Sequence, residues 1–152
     1  MKAYTDLEQS KVLADILPVN TADMTYYAIT DRIQGKKIIK DWEVDIGLDI
    51  AIKENLFSYR NGYVVPCWSL GALLEAIPHI IKDDDYTNEI TPLLYPMQGK
   101  WFCVYNELDK DGYSPYAEEK GNTPIEAVFN MIVWLFKNEY IKKSKNECND
   151  ID

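Results

Sequence analysis

The sequence contains few of the residues on which common catalytic and metal-binding sites depend. Its 152 residues include one histidine and three cysteines, and no cysteines form a C-x-x-C pair. The sequence therefore does not contain the ligands of familiar zinc sites, and a histidine-dependent triad would have to use the single histidine. Glycine-rich loops of the G-x-x-x-x-G-K-[ST] or G-x-G-x-x-G type are also missing, so nucleotide binding has no support from these patterns. We predict a protein without catalytic residues, bound metal or cofactor.

Excess positive charge and long apolar runs are missing as well. Sixteen basic residues stand against 25 acidic ones, which gives a formal net charge of −9. Proteins that cover nucleic-acid phosphates need a basic face, and anionic membranes repel acidic chains, so we expect neither partner. The N-terminal residues are polar, and no stretch approaches the roughly 18 apolar residues of a membrane span. We therefore expect a cytoplasmic protein with reduced thiols.

The composition is that of a folded domain, with 47% apolar and 27% charged residues. A chain of this length can bury roughly 70% of its unfolded surface around one core. No linker, repeat or long block of like charge divides the sequence. We predict a single domain over residues 1–141, followed by a polar C-terminal tail over residues 142–152.

Helix-capping signals predict three helices. They follow Thr5, Ser69 and Thr123, and they end at Pro18, at Pro78 and at about Lys137. Glu8 and Glu126 complete capping boxes with Thr5 and Thr123, and Pro124 takes the first position of the last helix. This last helix is apolar on most sides, so either the domain covers it or part of it meets another subunit.

Strands are predicted between the helices. Apolar residues alternate from Trp42 to Ile52, as expected for a half-buried strand, and Asn61-Gly62 is a favoured hairpin turn between Leu56–Arg60 and Tyr63–Val65. Further strands are predicted over Ile90–Tyr95, Lys100–Asn106 and Tyr113–Glu118. The order of elements predicts an α+β fold, a small antiparallel sheet packed with about three helices.

The few candidates for nucleophilic catalysis have simpler structural interpretations. His79 follows Pro78 at the end of a predicted helix, where its side chain would interact with the helix dipole. Cys67 lies twelve residues earlier, and no spacing rule links it to His79. Ser69 lacks the preceding glycine of a nucleophile elbow, so we interpret it as a helix cap.

One acidic segment imitates a calcium-binding loop. Glu107, Asp109, Asp111, Gly112 and Glu118 have the spacing of its ligands and its glycine. The segment follows a predicted strand, a proline interrupts it, and no helix begins at its end. An acidic hairpin turn is therefore the favoured interpretation, with calcium binding as the alternative. The run of acids from Asp83 to Asp85 is likewise predicted to be a solvated loop.

Aromatic residues are abundant, with four tryptophans and eleven tyrosines. The predicted core accounts for Trp101 and Trp134. We expect others to be exposed, because tyrosine and tryptophan are enriched at protein-binding surfaces. A stacking platform for single strands or sugars would need a basic groove, which the charge balance does not favour.

Three segments resemble motifs of one family. Residues Glu8–Met24 are similar to "EQSKxLAxxLPxxxADM", Pro66–Leu74 resembles "PxWSLxALL", and Thr123–Ile132 resembles "NPxDAxxxMI". The family is a set of small uncharacterised proteins from bacteriophages, prophages and mobile elements of gut anaerobes. The resemblance does not extend to the stretch between Arg32 and Tyr63. The segment Leu70–Lys137 also resembles a phage α-β-α sandwich domain.

The resemblance implies a genomic setting and supplies no catalytic residue. The leading hypothesis is a non-enzymatic accessory protein of a phage or mobile element that acts by binding a protein partner. One alternative is an acidic mimic of nucleic acid that inhibits a host defence or DNA-handling protein. Another alternative is a virion component. The apolar last helix also leaves self-association as an option.

Overall fold

The computed structural model describes residues 2–46, 62–79, 81–82, 89–109 and 111–143. Over these ranges the chain forms α1 (Leu7–Ile16), β1 (Met24–Ile33), β2 (Lys36–Ile46), β3 (Val64–Cys67), α2 (Leu70–Ala76), β4 (Ile81–Lys82), β5 (Glu89–Met97), β6 (Lys100–Asp109), β7 (Gly112–Gly121) and α3 (Pro124–Lys137). The predicted antiparallel α+β fold is confirmed. The strands form two sheets, however, with the orders β2-β1-β3 and β4-β5-β6-β7.

The first sheet is built on a long hairpin. Strands β1 and β2 pair antiparallel from Met24 opposite Ile46 to Ile33 opposite Lys36. The turn residues Gln34 and Gly35 have φ values of 52° and 77°. Positive φ at both central positions is the geometry that matches the twist of a two-residue hairpin. This hairpin was not predicted from the sequence.

In the part of the chain that the structure describes, only the base of this hairpin belongs to a three-stranded sheet. Strand β3 pairs with β1 over residues 24–27, and Ala28 adds one backbone hydrogen bond to Tyr63. Beyond this point the hairpin has two strands, and most of its side chains are exposed. We call residues 29–41 the distal hairpin.

The second sheet carries the main core. Strands β5, β6 and β7 form an antiparallel meander, and the β5–β6 turn at Gln98-Gly99 again has positive φ at both positions. Helix α3 packs on this sheet. Seven of its residues are buried, namely Pro124, Ile125, Ala127, Val128, Met131, Ile132 and Leu135. The remaining large apolar side chains of α3 are partly buried, so the domain itself covers this helix.

The end of β3 joins the two sheets. Val65 and Cys67 belong to a small cluster with Tyr26 of β1, whereas the next residue, Trp68, belongs to the main core with α1, α2 and α3. The Trp68 side chain is 0% exposed. Its indole Nε1 donates a hydrogen bond of 3.0 Å to Thr21 Oγ1. One tryptophan therefore connects the hairpin sheet to the helices.

The predicted cap of the first helix is wrong by one residue. Asp6 is the N-cap, because its carboxylate accepts from the Gln9 backbone N–H at 2.8 Å while Gln9 Oε1 accepts from the Asp6 N–H at 3.0 Å. Thr5 is instead fully buried, where its hydroxyl accepts a hydrogen bond from the Trp68 backbone N–H. The Thr5 hydroxyl, which the sequence pattern predicted to cap the helix, therefore forms a tertiary hydrogen bond with Trp68 instead.

The other predicted helix starts are confirmed. Ser69 and Thr123 each accept a hydrogen bond from the backbone N–H three residues later. In the last helix, the Glu126 carboxylate accepts from the Asn122 N–H rather than from the N-cap residue, so this box is shifted by one position. Among the described residues, no helix is long and apolar enough to cross a membrane.

Some predictions fall on residues outside the described ranges. The strand predicted over Trp42–Ile52 is confirmed up to Ile46, where the side chain is 82% exposed rather than buried. Its remainder, the segment before Gly62 and the acidic loop at 83–88 lie outside the described residues, as do positions 144–152 of the predicted tail. The strands predicted in the second sheet are confirmed and extend slightly further.

Candidate functional site

The two cysteines that the structure describes are buried and unsuited to nucleophilic chemistry. Cys67 is 0% exposed, and its Sγ lies 3.6 Å from Thr5 Oγ1. Burial raises the pKa of the Cys67 thiol. Burial next to Glu119 raises the pKa of Cys103 to about 12. Because the thiolate is the reactive form, both thiols are protonated at neutral pH and serve as core residues.

Ser69 has a structural role. Its hydroxyl accepts from the Ala72 N–H at 3.2 Å and lies 2.5 Å from Asp23 Oδ2, while the Ser69 N–H donates to Asp23 Oδ1 at 2.8 Å. The exposed His79 follows the C-cap residue Ile77 by two positions. A buried thiol at Cys67 and an exposed imidazole at His79 do not form a shared catalytic surface.

The segment with calcium-loop spacing is a β-hairpin. Glu107 lies opposite Ser114, and Glu118 lies opposite Val104. Three residues of strand, about 10 Å, therefore separate the two glutamates along the ladder, so they cannot close around one ion. The favoured interpretation as an acidic hairpin is confirmed. No group of three His, Cys, Asp or Glu residues in the described chain is arranged to hold a metal ion.

Exposed aromatic residues were expected, and this expectation is wrong where the structure describes the side chains. Every such tyrosine, tryptophan and phenylalanine is buried or partly buried. Two partly buried rings, Trp134 and Tyr140, stack with centroids 5.7 Å apart at the end of α3. The exposed large apolar residues are aliphatic, and four of them lie on the distal hairpin: Ile29, Ile33, Ile38 and Ile39.

The pairing register divides these isoleucines between two faces. Ile29 lies opposite Asp41, Ile33 opposite Lys36 and Ile38 opposite Asp31, so these three isoleucines share one face. Their side chains are 37%, 53% and 43% exposed, respectively. Ile39 lies opposite Thr30 on the other face. We call Ile29, Ile33 and Ile38 the isoleucine face.

The distal hairpin also differs in charge from the rest of the chain. Residues 29–41 contain one arginine and three lysines against two aspartates, a net charge of +2 in a chain of −9. All three lysines of β2 are exposed. Lys37 Nζ lies 4.3 Å from the centroid of the Tyr63 ring, a cation–π contact that holds this side chain against the base of the hairpin. The surface thus combines apolar and basic groups.

Residues 29–41 contain no cysteine, histidine or serine. Sequence reasoning missed this surface, although two signals were present: β-branched residues on both sides of Gln34-Gly35, and a local excess of lysine. Comparison of the chain with protein-family models, curated proteins and solved structures finds no match.

Proposed function

We propose that this chain is a non-enzymatic accessory protein that binds a protein partner through the distal hairpin. The observation that carries the proposal is the isoleucine face, three exposed isoleucines on a two-stranded segment. Exposed apolar patches with a polar rim are typical of interaction sites. Isolated two-stranded hairpins are marginal in water, so contact with a partner would also stabilise this segment.

The apolar area on this face would contribute a measurable part of the free energy of binding. Full burial of an isoleucine contributes about 1.5–3 kcal/mol, and these side chains have about half of that still to gain. Three of them together would contribute about 3 kcal/mol, which corresponds to roughly a hundredfold in Kd. We also propose a phage or mobile-element setting in the cytoplasm of a bacterial host, and the resemblance of three segments to motifs of that family supports the setting.

A second candidate function is the acidic mimic of nucleic acid. Asp41, Glu43 and Asp45 lie on one face of β2 at alternate positions, about 7 Å apart along the strand. A regular row of carboxylates would attract a basic DNA-handling protein. We rank this candidate second because three lysines precede the row on the same strand.

The isoleucine face is tested by affinity capture from a lysate of the host bacterium. The tagged wild-type chain is compared with a variant that carries Ile29→Thr, Ile33→Thr and Ile38→Thr, because threonine keeps the β-branched shape. The matched control is Val12→Thr, since Val12 is 43% exposed on α1. We expect the triple variant to bind the captured partner at least tenfold more weakly than wild type and the control to bind it like wild type.

Salt separates the two candidate functions. Washing with high salt screens surface charges but leaves apolar contacts intact. A partner that survives high salt and is lost only in the triple variant supports the isoleucine face. A basic partner that high salt removes from wild type and triple variant alike would favour the acidic mimic instead. Equal capture by all three proteins at high salt would contradict the proposal.

A further inference from the structure

The edge strands of the two sheets differ in how far they are protected against pairing with a strand of another chain. Pro66 lies in the edge strand β3, Pro92 and Pro96 lie in β5 beyond its short pairing with β4, and Pro115 lies in the edge strand β7. A proline is tolerated in a strand where its missing N–H faces away from the ladder, so it removes a donor from the outer edge. At three sheet edges, therefore, a proline leaves a further strand without one of the N–H donors that it would need for pairing.

The outer edge of β2 carries lysines and a bulge but no proline. The strand runs for eleven residues from Lys36 to Ile46 without a proline. It pairs with β1 on one side, and it ends the order of its sheet in the described chain. The Trp42 N–H donates to Asp41 Oδ1 at 2.8 Å, and no other strand pairs with this edge in the described chain. A long edge of this kind can accept a further strand.

Charge along β2 is divided into two opposite halves. The first half contains Lys36, Lys37 and Lys40, and the second contains Asp41, Glu43 and Asp45. A second copy of β2 in antiparallel orientation would place the basic half of each strand beside the acidic half of the other. Opposite charges across a strand pair stabilise it, and like charges directly opposite destabilise it. Parallel pairing in register would bring like charges together.

A bulge makes this pairing compatible with two-fold symmetry. The register of β2 on β1 shifts between Ile29 and Thr30, so Lys36 and Ile38 share a face with Glu43 and Asp45 despite the odd spacing. Two strands related by a two-fold axis perpendicular to the sheet must oppose residues of the same face. With Lys36 opposite Asp45, the other pairs also match in face: Lys37 with Val44, Ile38 with Glu43, and Ile39 with Trp42.

We propose that two copies of this chain pair antiparallel through β2 and form a continuous six-stranded sheet. This inference concerns the edge of the strand and does not rest on the proposed function, which concerns a face. It extends that function, however. Because Ile38 lies opposite Glu43 on one face, the isoleucine faces of both copies would lie on the same side of the joint sheet.

The test is a charge-swap experiment on the full chain. Sedimentation velocity over a range of concentrations measures the dimer Kd for wild type, for Lys36→Asp with Lys40→Asp, and for Asp41→Lys with Asp45→Lys. Each double variant places like charges opposite each other at positions 36 and 45 and at positions 40 and 41, so we expect its dimer Kd to rise at least tenfold. An equimolar mixture of the two variants restores every opposite-charge pair, and we expect a heterodimer at least as stable as the wild-type dimer.

A control separates this effect from a general change in net charge. Lys142→Asp with Lys143→Asp alters the charge as much as the first variant, at exposed positions after α3. We expect this control to dimerise like wild type. A wild-type monomer at all concentrations would overturn the proposal and leave the β2 edge to a strand of another protein. A dimer that both charge reversals leave intact, or a mixture without heterodimer, would also overturn it.

Discussion

Replacing Trp68 with alanine is expected to reduce the free energy of unfolding by about 3–5 kcal/mol. The side chain is fully buried in the main core and directly follows the strand that contributes Cys67 to the small cluster. Its loss would open a cavity and leave the Thr21 hydroxyl without the indole donor. Since small domains are stable by only about 5–15 kcal/mol, this one change would remove a large part of the total.

Urea unfolding followed by circular dichroism measures this loss, and thermal unfolding should show a fall in Tm of roughly 10 °C. The matched control is Trp42→Ala, because Trp42 is a tryptophan of the hairpin sheet that is only partly buried. We expect this control to cost about 1–2 kcal/mol. Equal losses in the two variants would contradict the full burial of Trp68 in the main core.

Replacing Gly121 with alanine is expected to cost about 3 kcal/mol, at the upper end of overpacking effects. Gly121 ends β7, immediately before the N-terminal turn of α3. A β-carbon there would lie 2.6 Å from the Ala127 backbone N and 2.7 Å from Glu126 Cβ. Because these atoms belong to the helix that covers the sheet, the helix would have to move away from the strand.

The control for this change is Gly71→Ala. Gly71 lies inside α2 and is exposed, and the nearest atom to an added β-carbon is Ser69 Oγ at 3.7 Å. Alanine favours a helix over glycine by up to about 1 kcal/mol, so we expect Gly71→Ala to stabilise the protein slightly. Differential scanning calorimetry compares the two variants. If Gly121→Ala melts at or above the wild-type temperature, α3 does not pack on β7 as closely as described.

The second half of the fold is predictable because its local signals and its tertiary contacts agree. Thr123 and Pro124 start the last helix in the sequence pattern and in the structure. The strands before it carry apolar and aromatic residues that face one core. At the start of α1, by contrast, the sequence allows two capping boxes, because Thr5 and Asp6 are each followed three positions later by a Glu or Gln. Only the buried contact between Thr5 and Trp68 decides between them.

The distal hairpin was missed for a physical reason. A strand reveals itself by alternation only when one of its faces is buried, and residues 31–41 are exposed on both faces. The turn at Gln34-Gly35 also departs from the Asn-Gly and Asp-Gly pairs that usually mark a two-residue turn. Exposure on both faces makes this segment a candidate interaction surface, and the same exposure removes the alternating pattern by which a strand is predicted.

The central claim, that the distal hairpin contacts a protein partner, is tested most directly by photocrosslinking in the host cell. A photoreactive amino acid replaces Ile33 in one strain and Val12 in another, two apolar residues that are 53% and 43% exposed. We expect discrete adducts from position 33, weakened by Ile29→Thr with Ile38→Thr, and none from position 12. Equal labelling from both positions, or adducts from position 12 alone, would contradict the claim.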